Sequence, residues 1–163
     1  MNDLAHIIGA LECSAPILEA FVVSIPENAL TRRRGEGFWT IAEHANHLAA
    51  VQPMLADRIQ RFLDEDAPEF VPFIPADNEA EAAPPVLNMP AATAAFAAGR
   101  EAQVALLNTA TPSDWKKGGR HPEYTQYTLY ILARHILMHD HWHMYRMEEL
   151  WLARDEYLTI LAG

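Results

Sequence analysis

The sequence has one cysteine and few basic residues, and each shortage excludes a class of protein. A lone Cys13 cannot form an internal disulfide, so the 50% hydrophobic content must stabilise the fold through a core. We expect Cys13 itself to be a buried packing residue. Twelve lysines and arginines against 22 acids give a net charge of −10, which repels nucleic-acid phosphates and anionic membrane surfaces. The prediction is a protein with neither nucleic acid nor a membrane as a partner.

Long apolar runs and leader features are also missing. No uninterrupted apolar run reaches the roughly 18 residues of a membrane-spanning helix. The first residues, MNDLAHIIGALECS, lack the basic start and small-residue cleavage site of a secretion signal, so we expect a cytoplasmic location. No glycine-rich phosphate loop or Gly-x-Ser-x-Gly elbow occurs. The length of 163 residues predicts one domain, over 1–163.

Four segments have the three- and four-residue apolar spacing of amphipathic helices. They cover, in chain order, about 3–23, 40–63, 90–110 and 125–154. Thr40 and Glu43 have the spacing of a capping box, and Pro53 predicts a kink or interruption in the second helix. The acidic, proline-rich segment 64–88 predicts a long surface crossover. No stretch alternates as a strand does, so the predicted fold class is all-α, a four-helix bundle with a long crossover loop.

Most of the eight histidines are predicted to face the inside of this bundle. Each helical residue advances by about 100°, so residues three or four apart share a face. His141 falls on the opposite side of the last helix and faces water. The inward histidines lie on the second and fourth helices: His44, His47, His135, His139 and His143.

Several imidazoles in one core favour a metal site. A buried polar group without a partner costs roughly 1 to 3 kcal/mol, and one ion satisfies several imidazoles at once. Neutral imidazoles suit Zn²⁺ or Ni²⁺, and a catalytic site commonly has three protein ligands and one open position. A His-x-x-x-His pair with one histidine of the second helix supplies such a set. For any single inward histidine, the alternative is a hydrogen-bonded core residue.

Two motifs together resemble the DinB/YfiT-like superfamily: WTIAEHANHL on the second helix and MHDHWHMYR on the fourth. The resemblance implies a four-helix bundle with a divalent metal held by three histidines. Matched to the family pattern, the ligands fall on His47, His139 and His143. Members often have glutamine three residues after the last histidine, where this chain has Arg146. That arginine is the candidate catalytic residue, binding a substrate carboxylate, with a structural ion pair or a snorkelling side chain as the alternatives.

The remaining polar residues near these motifs have less specific roles. His44 and His135 are ambiguous, and orienting or packing roles are favoured over direct ligation. Glu43 is assigned to the helix cap rather than to a ligand histidine. Asp140 occupies the place of the general base in a His-Glu-x-x-His motif, but its favoured assignment is a solvated helix charge.

The resemblance also implies chemistry, because the superfamily includes metal-dependent transferases and isomerases that use a low-molecular-weight thiol, and hydrolases. The leading hypothesis is a metal-dependent enzyme that activates a small thiol or water for attack on a small electrophilic substrate. The alternative is a non-catalytic, stress-associated metal-binding bundle with a fourth protein ligand. Haem is a further option, and a di-iron centre is disfavoured because the last helix lacks an inward glutamate. Members of the superfamily are often homodimers. The apolar residues Trp151 and Leu152 are compatible with a dimer interface.

Overall fold

The structure of the chain is a computed structural model that describes residues 3–72 and 88–158. It has five α-helices: α1 (Leu4–Ser24), α2 (Ile41–Ala50), α3 (Gln52–Asp64), α4 (Met89–Thr109) and α5 (Leu129–Leu152). Helices α2 and α3 follow one another and together form one of the four helical segments of a bundle. α1 packs against α4 and α5, while α2 also packs against both of these helices. The architecture is the predicted four-helix bundle.

The predicted irregularity in the second helix is a complete break at Val51. Pro53 lies in the first turn of α3, where its missing N–H leaves no hydrogen bond unmade. At the other end of α2 the predicted capping box is present. The Thr40 hydroxyl accepts a hydrogen bond from the Glu43 N–H at 3.2 Å, and the Glu43 carboxylate accepts one from the Thr40 N–H at 2.6 Å.

The last helix begins later than the sequence indicates. Tyr127–Thr128 forms a strand, β2, which pairs antiparallel with β1 (Gly118–Gly119) in a two-stranded sheet that the sequence did not predict. The Thr128 hydroxyl then caps α5. A side chain at Gly119 would collide with the ring of Phe70, so only glycine permits this close approach. The predicted start near Thr125 was wrong, because Thr125 lies in a bend and the strand Tyr127–Thr128 precedes the helix.

Two expectations for the first helix need correction. Cys13 is exposed, because Leu11 and Ser14 occupy the buried face of α1 at that level. The absence of a long uninterrupted apolar run was also too strict a criterion for excluding a helix that could span a membrane. By length and composition α1 is apolar enough to cross a membrane, with a mean hydropathy of 1.6 over 18 residues. In the bundle one face of this helix packs against α4 and α5, as expected of a core helix.

The predicted crossover, 64–88, is described only in part. After α3 the chain runs beside the residue that follows β1: the Phe70 N–H donates to the Arg120 carbonyl at 2.8 Å, and the Arg120 N–H donates to the Pro68 carbonyl at 2.8 Å. These bonds hold the start of the crossover against the loop before α5. The rest of the predicted crossover, 73–87, lies outside the described residues.

A layer of buried polar side chains divides the hydrophobic core into two clusters. One cluster lies between α3 and the start of α5, and the other lies between α2 and the end of α5. The members of this polar layer come from every segment of the bundle: Ser14, Gln52, Arg100, Gln103 and Asp140. Their side chains bond to one another across the helices, so the layer is satisfied mostly from within.

Candidate metal centre

Three histidine side chains converge between α2 and α5. Nε2 of His139 lies 3.1 Å from Nε2 of His47 and 3.2 Å from Nε2 of His143. One ligand atom from each of the three lies within 4.8 Å of the others. In a tetrahedral site with metal–nitrogen bonds of about 2.0 to 2.1 Å, two ligand nitrogens are about 3.3 Å apart. The three side chains therefore already have nearly the spacing that a single divalent ion requires.

Hydrogen bonding alone does not account for this convergence. Each ring nitrogen either carries a proton or offers a lone pair, so Nε2 of His139 can make only one good bond with its two Nε2 neighbours. Two helices create the arrangement. His139 and His143 are four residues apart on α5 and share its inner face, while α2 brings His47 from the opposite side. A shared cation would satisfy all three nitrogens, so the donor set fits a metal ion.

His44 lies behind the cluster and bonds to one of its members. Its Nδ1 is 2.8 Å from Nδ1 of His143, and both residues are buried, with 1% and 3% of their surface exposed. If Nε2 of His143 offers its lone pair to an ion, the proton of that ring is on Nδ1. The Nδ1–H then donates to His44, which fixes the ring orientation of His143. Nδ1 of His139 is also buried but has no hydrogen-bond partner among the described residues.

Two tryptophans pack against the histidine cluster. The Trp39 ring is stacked on His143 at a centroid distance of 5.7 Å and lies 4.8 Å from the His47 ring. The Trp142 ring meets His143 edge-on at 4.7 Å. No motif in the sequence indicated the role of Trp39. Trp142 is itself 36% exposed, so the two rings cover the cluster only in part.

A cavity of about 270 Å³ opens on the other side of the cluster. Its walls come from α2, α3, α5 and the loop before β2. The lining residues are His47, Val51, Met54, Leu55, Arg58, His121, Glu123, Tyr124, Tyr127, His135, Ile136 and His139. Two of the three convergent histidines are thus exposed to a space of the size that a small molecule occupies.

The DinB superfamily model matches residues 10–154. The chain belongs to the DinB superfamily. It is also similar to the solved structure of YfiT from Bacillus subtilis, described as a probable metal-dependent hydrolase with an unusual four-helix bundle topology. That match has a TM-score of 0.75 and 24% identity, covering 92% of this chain and 86% of the other, and it shows the shared fold. No curated protein matches the chain.

Two predicted site residues of this DinB-superfamily chain lie outside the histidine cluster. Arg146 is buried and forms an ion pair with Glu149 one turn further along α5, which is the structural alternative to substrate binding. His135 is half-buried, and its Nδ1 lies 3.1 Å from the Tyr124 hydroxyl. The predicted ligands of the superfamily pattern are therefore brought together, whereas Arg146 has a carboxylate partner elsewhere.

Asp140 is not the solvated charge that the sequence suggested. It is fully buried, and its carboxylate accepts a hydrogen bond of 2.5 Å from Arg100 of α4. Burial raises the pKa of Asp140 to about 6, although Arg100 opposes the shift. An aspartate engaged in this pair is poorly placed to be a general base. The place of Asp140 on the inner stripe, four residues after Ile136 and three before His143, was the signal that could have predicted its burial.

The histidines of this DinB-superfamily site are neutral at pH 7. Burial is the main cause that lowers the pKa of His44 and of His47 to about 4 and that of His139 to about 3. The pKa of His143 is lowered as well, first by burial and then by the neighbouring His139. Neutral imidazoles have the lone pairs that a metal ion needs.

We expect the metal-free protein to lose stability in mild acid. Histidines with lowered pKa values bind fewer protons in the folded than in the unfolded state between pH 6.5 and about 4, so the free energy of unfolding falls as the pH falls through that range. A shift from 6.5 to about 4 in one histidine corresponds to about 3 kcal/mol, which we take as the minimum total loss. The raised pKa of Asp140 has the opposite effect, because it increases the free energy of unfolding as the pH falls. The effect of this one carboxyl is smaller than the combined effect of several histidines.

Urea unfolding of metal-free protein at a series of pH values measures this loss. The His141→Ala variant is the matched control, because that histidine is exposed on the outer side of α5, and its profile should coincide with that of the wild type. A free energy of unfolding that stays constant between pH 7 and 4.5 would contradict the expectation.

Proposed function

We propose that this chain is a metal-dependent enzyme in which His47, His139 and His143 hold one divalent ion, Zn²⁺ or Ni²⁺. The enzyme would activate a small thiol or a water molecule for attack on a small electrophilic substrate. The observation behind the proposal is that the convergent Nε2 atoms adjoin the cavity, which His47 and His139 also line. An ion with three neutral ligands retains its full charge and acidifies a bound water or thiol near neutral pH.

The side chains around the ion would have separate tasks. His44 would hold the ring of His143 in place through their Nδ1 atoms, while Trp39 and Trp142 pack against that ring. The apolar wall of the cavity, formed by Val51 and Ile136 among others, would receive the substrate. The similarity to YfiT, described as a probable metal-dependent hydrolase, is consistent with hydrolysis as one outcome.

The geometry favours this proposal over a structural metal. A closed structural site needs a fourth protein ligand, for which the sequence offered His44 or His135. His44 instead contacts the far nitrogen of His143, and His135 bonds to Tyr124, with its ring centroid 6.2 Å from that of His139. The three-histidine group includes neither of them. An ion held by these three histidines would adjoin the cavity that His47 and His139 line.

Activity assays with the metal-loaded protein test the proposal. Two reactions cover the two nucleophiles: hydrolysis of 4-nitrophenyl acetate, and transfer of a small thiol to 1-chloro-2,4-dinitrobenzene. We expect metal-dependent turnover in at least one, with His47→Ala losing more than the roughly 10- to 100-fold typical of an orienting residue. His141→Ala, an exposed histidine, should keep the wild-type rate. Equal rates in loaded, metal-free and His47→Ala protein would contradict an enzymatic role for the ion.

A further inference from the structure

The cavity contains an arginine at the end away from the histidine cluster. Arg58 of α3 follows His47 by eleven residues and lies on the same stripe of the α2–α3 segment as Val51 and Leu55, all of which line the cavity. The Arg58 side chain is half-buried. The cavity is thus lined by two imidazoles of the cluster, His47 and His139, by a cation and by apolar side chains.

Arg58 differs from most arginines of this acidic chain in its partners. Its Nη2 donates to the Val71 carbonyl at 2.7 Å, and its Nη1 donates to the Tyr127 hydroxyl at 3.4 Å. Within residues 3–72 and 88–158 no carboxylate lies at ion-pair distance from it, and Glu123, which also lines the cavity, is exposed to water. The arginines that do pair with carboxylates are Arg32, Arg33, Arg61, Arg100, Arg120 and Arg146.

The charge of Arg58 acts on the neighbouring side chains of the cavity. After burial, it is the next largest cause that lowers the pKa of His121 and of His135. The guanidinium therefore lies close enough to both imidazoles for its charge to act on them. A guanidinium has five N–H donors in a planar fork that matches a carboxylate, so the two uncharged oxygens that it contacts leave donors for such a ligand.

We propose that Arg58 is a specificity-determining residue that binds the carboxylate of the substrate. The substrate class would be a small carboxylic acid with a short apolar body, whose reacting centre faces the histidine cluster. This inference rests on the proposed function, because it assumes that the reaction takes place at His47, His139 and His143. It replaces Arg146 as the anion-binding arginine, since Arg146 already pairs with Glu149.

Ligand binding tests the inference without requiring turnover. Benzoate is titrated into ¹⁵N-labelled protein, both metal-free and Zn²⁺-loaded, and amide chemical shifts give the Kd; benzamide is the uncharged analogue. We expect Arg58→Met to raise the Kd for benzoate at least tenfold in both forms, and Arg58→Lys to fall between Arg58→Met and the wild type. Benzamide should bind all variants equally. The matched control is Arg134→Met, an exposed arginine of α5 over the Tyr130 ring, which should leave the Kd unchanged.

The outcomes separate this inference from the proposed function. Benzoate affinity that is the same in wild type and Arg58→Met, or no benzoate binding to the wild type, overturns the anion site whether or not the protein takes up metal. Arg58-dependent benzoate binding in a protein that takes up no metal supports the anion site and overturns the metal-dependent function. Benzamide that binds Arg58→Met as well as it binds the wild type excludes misfolding of Arg58→Met as the cause, and partial recovery of benzoate binding in Arg58→Lys shows the contribution of the charge.

Discussion

The His139→Ala/His143→Ala variant is expected to contain no bound metal, whereas the untagged wild type should hold about one Zn²⁺ or Ni²⁺ per chain. The change removes two of the three convergent Nε2 atoms, and His47 alone is a weak, monodentate ligand. Elemental analysis of both purified proteins measures the difference. Circular dichroism establishes that the variant is still folded. A wild type that binds neither Zn²⁺ nor Ni²⁺ when the ion is supplied would contradict the three-histidine site. A double variant that retains its metal would contradict it as well.

Two further substitutions test whether His44 and His135 contribute to metal binding. His44→Ala removes the bond that orients His143, so we expect metal affinity to fall by roughly 10- to 100-fold with the stoichiometry unchanged. His135→Ala is the matched control, because that imidazole bonds to Tyr124 and lies outside the cluster. Its metal affinity should equal that of the wild type. Complete loss of metal from His44→Ala would instead make His44 a ligand.

Replacing Arg100 by methionine is expected to lower the free energy of unfolding at pH 7 by about 3 to 5 kcal/mol. The substitution leaves the Asp140 carboxylate fully buried without its cation. Burial holds the pKa of Asp140 at about 6 even with Arg100 present, and removal of Arg100 raises it further. Since a protonated carboxyl has no charge to compensate, the loss should be smaller at pH 5 than at pH 7. Urea unfolding at the two pH values measures it.

Two companion variants identify the cause of that loss. Arg100→Met/Asp140→Leu removes both charges, and we expect it to recover most of the stability, because apolar replacements of a buried pair are often neutral or stabilising. Arg134→Met removes an exposed arginine and should change the free energy of unfolding by less than about 0.5 kcal/mol. If Arg100→Met costs no more than Arg134→Met, the ion pair contributes nothing to the fold.

Helical periodicity predicted the bundle and the inward faces of five histidines, because residues three and four apart are fixed on one face by local geometry. The resemblance to the superfamily then selected His47, His139 and His143 from these five. The capping box at Thr40 was predictable for the same reason, since both of its partners lie within one turn. The superfamily assignment also follows from local motifs and is confirmed by the match over 10–154. These features depend only on neighbours in the chain.

The Arg100–Asp140 pair and the cavity depend on distant neighbours instead. Arg100 lies 40 residues from its partner, and a helical wheel gives the face of each residue but not the height at which two helices meet. No motif near Arg100 indicates a partner on another helix. Arg58 and Tyr127 come together only after α3, β2 and α5 have packed. Sequence therefore predicted the cluster itself but not the cavity beside it.

Because the helical segment is interrupted at Val51, two short helices contribute different parts of the site. α2 supplies His47 and the orienting His44, whereas α3 supplies the wall of the cavity and Arg58. A substitution that changes the tilt of α3 alters the length and breadth of the cavity while the imidazole geometry on α2 stays the same. The two short helices can therefore vary independently, α3 in the shape that it gives the cavity and α2 in the position of its imidazoles.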